Sequence, residues 1–141
     1  MTLGHSTRTL ESFISTLKSY GADVVLDIRT IPRSRHNPQF NQETLPDWSK
    51  TEGVEYAHLT GLGGLKHASP DSINTGWLNA SFRGFADYMQ TGALTEALNQ
   101  PIEITNRKLP VLMCAEMLPW RCHRSLIADA LVIRGYAVKH I

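Results

Sequence analysis

No apolar run in this 141-residue chain approaches the roughly 20 residues that a membrane-spanning helix requires. The amino terminus also lacks the charged-then-apolar pattern of a secretory leader. A cytosolic protein with no membrane partner is therefore expected. There are only 2 cysteines, Cys114 and Cys122, too few for a disulfide framework; in a reducing compartment such a pair is free, catalytic or metal-bound rather than bridged. Internal repeats and linker-like stretches are missing, so one domain over residues 1–141 is expected. Charge of one sign is not in excess: the formal net charge of +1 points to no partner by itself. Gly-x-Gly-x-x-Gly and Gly-Lys-Ser/Thr are both lacking, which removes the best-known nucleotide cradles.

What remains is an ordinary globular composition, 42% hydrophobic and 19% charged, enough for one core without staples. Acidic residues are absent from three stretches: 29–42, 56–70 and 117–128 hold 6 of the 14 Lys and Arg and none of the 13 Asp and Glu. They also hold His36, His58, His67 and His123.

Apolar patterning alternates between strand and helix. Thr2 to Gly4 reads as a short strand, and Leu10, Phe13, Ile14 and Leu17 recur at helical spacing, with Thr9 as cap and Gly21 as left-handed stop. Val24 to Ile28 is a buried strand interrupted by one carboxylate, Asp27. A basic loop follows from Arg29 to Gln42, then a helix from Glu43 to Thr51 ended by Gly53, and a third strand from Val54 to Leu59. Gly61, Gly63 and Gly64 come next; a tight turn with positive φ explains them better than a phosphate cradle. Lys66 to Ser81 is an unusually long connection, of the kind used for lids and binding loops. Helix resumes at Phe82 and is expected to stop at Pro101. A fourth strand ends at Cys114, a last helix is capped by Gly135, and Tyr136 to Ile141 is read as a fifth strand. The alternation predicts an α/β fold: a three-layer α/β/α sandwich of about five mostly parallel strands, Rossmann-like or flavodoxin-like. The expected strand order is 3-2-1-4-5, with the loops after strands one and four flanking the reversal point, where ligands bind.

Chemistry concentrates between Val111 and Leu126, where Cys114, Glu116, Arg121, Cys122, His123 and Arg124 surround a strand-loop-helix junction. Unpaired N–H groups and the dipole of a helix start favour an anion there. Arg29, Arg35, Arg121 and Arg124, with Ser6, are the candidate anion-binding groups. Cys114, Glu116, Cys122, His123, His5 and Asp27 are the candidate catalytic groups. Several roles stay open. Cys114 ends a strand before a loop and helix, as in cysteine-dependent phosphatases and sulfurtransferases, but Arg121 follows seven positions later with Glu116 in between; inert packing is the competing role. Cys114, Glu116, Cys122 and His123, with His5 or Asp27, supply donor types for zinc or iron. Against this, adjacent residues of one helix point about 100° apart, which would separate Cys122 from His123. Asp27 or Glu116 can instead hold an arginine in a structural ion pair.

Several motifs carry a resemblance: Thr-Leu-Gly-His-Ser at 2–6, Asp27-Ile-Arg29 with Pro32-Arg-Ser34-Arg35, Leu62-Gly-Gly64, Phe82-Arg-Gly-Phe-Ala-Asp-Tyr-Met89, and Cys114-Ala-Glu116 with Cys122-His-Arg124. Together they resemble the domain of unknown function 488 family across nearly the whole chain. The resemblance implies a small cytosolic prokaryotic α/β protein and transfers no catalytic role. It also implies that terminal residues of a longer member are missing, since the chain begins and ends at strands.

The functional expectation is an enzyme, hydrolase or transferase, acting on a phosphorylated or other anionic, nucleotide-like substrate at the carboxyl edge of a parallel sheet. The alternatives are a non-catalytic nucleotide- or nucleic-acid-binding domain, using the same basic rim with Trp77 or Trp120 to stack on bases, and a metal-binding protein. No cofactor is specified.

Overall fold

A computed structural model describes residues 1–141. Four strands form one parallel sheet: β1 (Thr2–Gly4), β2 (Val24–Asp27), β3 (Glu55–His58) and β4 (Pro110–Cys114), in the order β1-β4-β2-β3. Five helices connect them: α1 (Leu10–Ser19), α2 (Leu45–Glu52), α3 (Ala80–Met89), α4 (Gly92–Thr105) and α5 (Arg124–Ile133).

Local chemistry explains several boundaries. The Thr9 hydroxyl accepts the Ser12 N–H at the start of α1, satisfying one of the donors a helix start leaves free. Gly21 and Gly53 follow α1 and α2 at φ 66° and 70°, a conformation that costs a residue with Cβ. Asn79 caps α3 by accepting the N–H groups of Ser81 and Phe82.

The expected order 3-2-1-4-5 is incorrect. β4 stands between β1 and β2, pairing with both. It is buried at all five positions, and the sheet centre suits a strand that is apolar on both faces. β1 and β4 are neighbours as expected; β1 and β2 are not. The order matches neither the Rossmann nor the flavodoxin arrangement. The segment 136–141 does not form a strand either. It reaches β1 through the bridge Thr2–His140, where Thr2 N–H donates to the Lys139 carbonyl and Ile141 N–H to that of Thr2. None of its residues is buried, so little apolar contact extends the pairing.

Pro101 does not end its helix; α4 runs through it to Thr105. A proline there forfeits one bond, to the Ala97 carbonyl. Ile102 and Ile104 pack against the core beyond it, which holds the final turn.

Side chains of the central strands alternate between two apolar clusters. Val24, Leu26, Leu112 and Cys114 join Phe85, Leu94, Leu98, Leu126 and Ile127. Val25, Val111 and Met113 join Leu3, Phe13, Leu17, Phe40, Leu45 and Trp48. Each large side chain buried in this way stabilises the fold by about 1.5–3 kcal/mol. The carboxyl ends of β1, β4 and β2 lie side by side, and polar groups collect there.

The long connection between Leu62 and Ala80 is pinned rather than loose. Asp87 of α3 accepts the Ser69 N–H, the Ser72 hydroxyl and the Asn74 side-chain amide at 2.6–2.8 Å. Gly84 lets the loop cross close to α3, since a Cβ there would lie 2.3 Å from the Lys66 carbonyl oxygen.

Candidate functional site

Parallel pairing sets Gly4 beside Cys114 and Asp27 beside Met113. The residues leaving the strands remain tied together: His5 N–H donates to the Cys114 carbonyl, Ser6 N–H to that of Ala115, and Ile28 N–H to that of Met113, all at 2.9–3.0 Å. Ser6 turns away at φ 48°. Two groups of polar and thiol side chains stand on this edge.

The first is a buried ion-pair network. Asp27 is fully buried, and Arg29 is 6% exposed. The Arg29 Nε and Nη2 donate to the two Asp27 oxygens at 2.9 and 2.6 Å, a bidentate pair. Tyr56 donates its hydroxyl to the same carboxylate at 2.9 Å, and Arg29 Nη2 also donates to the Phe40 carbonyl. His5 completes the set, stacked on the Phe40 ring with centroids 4.3 Å apart. Its Nδ1 faces the Ser6 carbonyl at 2.9 Å and its Nε2 faces Arg29 Nη1 at 3.1 Å. A carbonyl only accepts and a guanidinium only donates, so the proton resides on Nδ1. Burial drives the His5 pKa down to about 4, and the Arg29 charge adds to the shift against the opposing Ser6 bond. Burial, with the Asp27 charge, also raises that of Tyr56. His5 and Asp27 are thus committed to Arg29, and sequence patterning missed Tyr56, which lies 29 positions from its partner.

The second group is Cys114, Cys122 and His123, whose Sγ, Sγ and ring-nitrogen atoms lie within 4.8 Å of one another. Both thiols are free and buried. The expectation that Cys122 and His123 diverge assumes that both are helical. Instead Cys122 is extended, with φ −135° and ψ 141°, while His123 is the residue before α5. The chain bends between them, leaving Cys122 Sγ 3.8 Å from His123 Nδ1. His123 Nε2 lies 3.1 Å from the Ile28 carbonyl oxygen and 3.0 Å from that of Leu62, so Nε2 carries a proton and Nδ1 faces the sulfur. Hydrogen bonding from Cys114, with smaller help from His123 and the Arg124 N–H, favours the Cys122 thiolate; Cys114 is correspondingly pushed up as the donor of the pair.

Gly63 and Gly64 need a different explanation from the one their sequence supports. Neither has positive φ. A Cβ on Gly64 would lie 2.4 Å from His123 Nδ1, and one on Gly63 would lie 2.6 Å from the Thr30 hydroxyl oxygen. Their purpose is close backbone approach to the imidazole and the basic loop.

A cavity of about 390 Å³ opens over the cysteine–histidine cluster. Six of the residues singled out by sequence line it: Arg29, Cys114, Glu116, Arg121, Cys122 and His123. Glu116 and Arg121 are exposed at its rim. Thr30, Ile31, Leu65, Asn79, Ser81 and Phe82 also line the cavity; sequence patterning missed them because only tertiary packing brings them there. Two signals touched them all the same: Asn79 and Ser81 belong to the long 66–81 connection, and Phe82 opens a helix motif.

The other candidates lie elsewhere. His5, Ser6 and Asp27 do not line the cavity. Arg35 is exposed in the basic loop, away from the cavity lining. Arg124 is 1% exposed and donates Nη1 to the Glu116 carbonyl and Nη2 to that of Met117, bracing the loop that carries the rim residues. Arg33 is paired with Glu43 at 2.7 Å. Trp77 stacks on Phe82 at 5.2 Å, and Trp120 is 69% exposed; neither lines the cavity. Among the basic residues of the cavity, Arg29 is neutralised by Asp27, whereas Arg121 forms no ion pair.

No curated protein and no solved structure matches the chain. A family model does match, over residues 9–131, a span that includes the Asp27–Arg29 pair, the glycines at 61–64 and the whole Cys114–Arg124 segment. The chain belongs to the family described as Domain of unknown function DUF488.

Proposed function

We propose that the protein is a small enzyme, a hydrolase or transferase, that takes a phosphorylated or other anionic substrate into the cavity above Cys114, Cys122 and His123. The observation that carries this reading is the convergence of two thiols, an imidazole with its open nitrogen inward, an exposed carboxylate and an unpaired guanidinium on one concave surface. Arg121 anchors the anion as a planar fork. The cysteine–histidine cluster supplies the reacting groups, and Glu116 is the exposed carboxylate placed to exchange a proton with the substrate. Arg29, held by Asp27 and His5, shapes the floor. The two apolar clusters fit a three-layer α/β/α sandwich with the site on its central carboxyl edge, free thiols suit a cytoplasmic setting, and a prokaryotic source is what the family resemblance implies.

Calorimetric titration with inorganic phosphate, sulfate and adenosine monophosphate tests the reading. Saturable binding of at least one probe is expected, weakened about tenfold or more in Arg121→Ala, the scale of one charge-assisted pair. Absence of binding, or equal affinity in the variant, would contradict it. Affinity for single-stranded nucleic acid that falls steeply with salt and survives Arg121→Ala but not Trp120→Ala would favour the binding-domain alternative instead.

A further inference from the structure

We propose that Cys114 Sγ, Cys122 Sγ and His123 Nδ1 form a zinc site with three protein ligands and a fourth position open to the cavity. This deepens the enzymatic reading by naming what the cluster holds.

Three geometric observations support it. First, zinc bonds of about 2.3 Å to sulfur and about 2.0–2.1 Å to nitrogen at tetrahedral angles put the ligand atoms about 3.5–3.8 Å apart. Cys122 Sγ and His123 Nδ1 are 3.8 Å apart, and all three donors fall within 4.8 Å of one another. Little rearrangement would close the set on an ion.

Second, the imidazole is oriented as a ligand. Nε2 donates to the carbonyls of Ile28 and Leu62, which fixes the tautomer and leaves the Nδ1 lone pair toward the sulfurs. An outer carbonyl on the far ring nitrogen is the usual support of a metal-bound histidine. Gly64 permits this orientation, because any side chain there would occupy the space of Nδ1.

Third, both thiols are free and buried, and their sulfurs converge with the imidazole at one point. Two thiolates and a neutral imidazole suit zinc. Glu116 lies outside the donor cluster but lines the same cavity, which leaves the fourth position for water or an oxygen of the anionic substrate. Such an ion would act as a Lewis acid toward that oxygen.

The test is cobalt(II) and zinc(II) titration of the full chain, reduced and freed of metal by chelator. One equivalent of cobalt is expected to produce an intense thiolate-to-cobalt charge-transfer band and the visible bands of a tetrahedral ion, both erased by one equivalent of zinc. Zinc should also slow alkylation of Cys114 and Cys122 at least tenfold in the unmodified chain, a readout that needs no variant. Cys122→Ser and His123→Ala should each lose the tetrahedral bands while keeping the far-ultraviolet circular dichroism of the parent. Absence of the bands, or alkylation at equal rates with and without zinc, would overturn the proposal. Metal binding without affinity for phosphate, sulfate or nucleotide would sink the substrate reading and leave the zinc site standing; anion affinity without metal would do the reverse.

Discussion

Asp27 and Arg29 share burial, and that decides what substitution would do. Replacing Arg29 by methionine leaves the carboxylate in the interior with hydrogen bonds from the Tyr56 hydroxyl and the residue-29 backbone N–H but no positive charge beside it, a loss of about 3–5 kcal/mol by the usual cost of orphaning a buried charge. Arg35→Ala, in the same basic loop but exposed, should change stability by less than about 0.5 kcal/mol. Urea denaturation of both variants checks the contrast; equal effects would contradict the buried pair. His5 adds a pH dependence. Its folded pKa, about 4, is below the ordinary 6.5, so between those values the unfolded chain binds more protons and stability rises with pH. The contribution is complete above about pH 6.5 and is lost as pH falls toward 4. Its size is on the order of 3 kcal/mol. Unfolding curves at pH 7 and pH 4.5 should show a larger acid loss for the parent than for His5→Gln; identical losses would contradict a neutral, buried imidazole. At this scale sequence patterning singled out residues that meet at one edge of the sheet without separating their surroundings. Arg29, Arg121 and Arg124 look alike in a basic stretch, and only tertiary burial assigns one to Asp27, one to the cavity rim and one to the carbonyls of Glu116 and Met117.

Elements were legible where their signals are local. The Thr9 cap, the Gly53 stop and the apolar run of β4 are interactions within a few residues, and each boundary appears close to where the pattern puts it. Pro101 misleads because propensity is a weak prior once Ile102 and Ile104 pack against the core beyond it. The glycines after β3 mislead for another reason: a glycine retained for close approach cannot be told from one retained for positive φ until the neighbour is visible. Gly64→Ala isolates that point. Its Cβ must displace the His123 ring, so the variant should fold with the parent's circular dichroism but lose cobalt binding, or bind it at least tenfold more weakly. Unchanged binding would show that the imbalance of space around His123 is absorbed elsewhere. Asp87 belongs to this scale too, since one carboxylate fastens three residues of the long loop to α3.

For the whole molecule the order of strands matters more than their number. Placing β4 between β1 and β2 brings Cys114 next to both the His5 turn and the Arg29 loop, so the edge of the sheet carries the ion-pair network and the thiol cluster side by side. That adjacency was not legible, because backbone pairing carries no side-chain code and two buried apolar strands exchange places without any change of pattern. The gathering of polar and thiol side chains at the carboxyl edge was legible, since parallel strands bring their carboxyl ends together.

The most direct measurement is a crystal structure grown with zinc and sulfate, analysed by anomalous scattering at the zinc edge. The expected result is one zinc peak bonded to Cys114, Cys122 and His123, with a sulfate in the adjoining cavity held by Arg121. A cavity empty of both, with metal and sulfate only at scattered surface positions, would contradict the assignment of this cluster as the reactive centre.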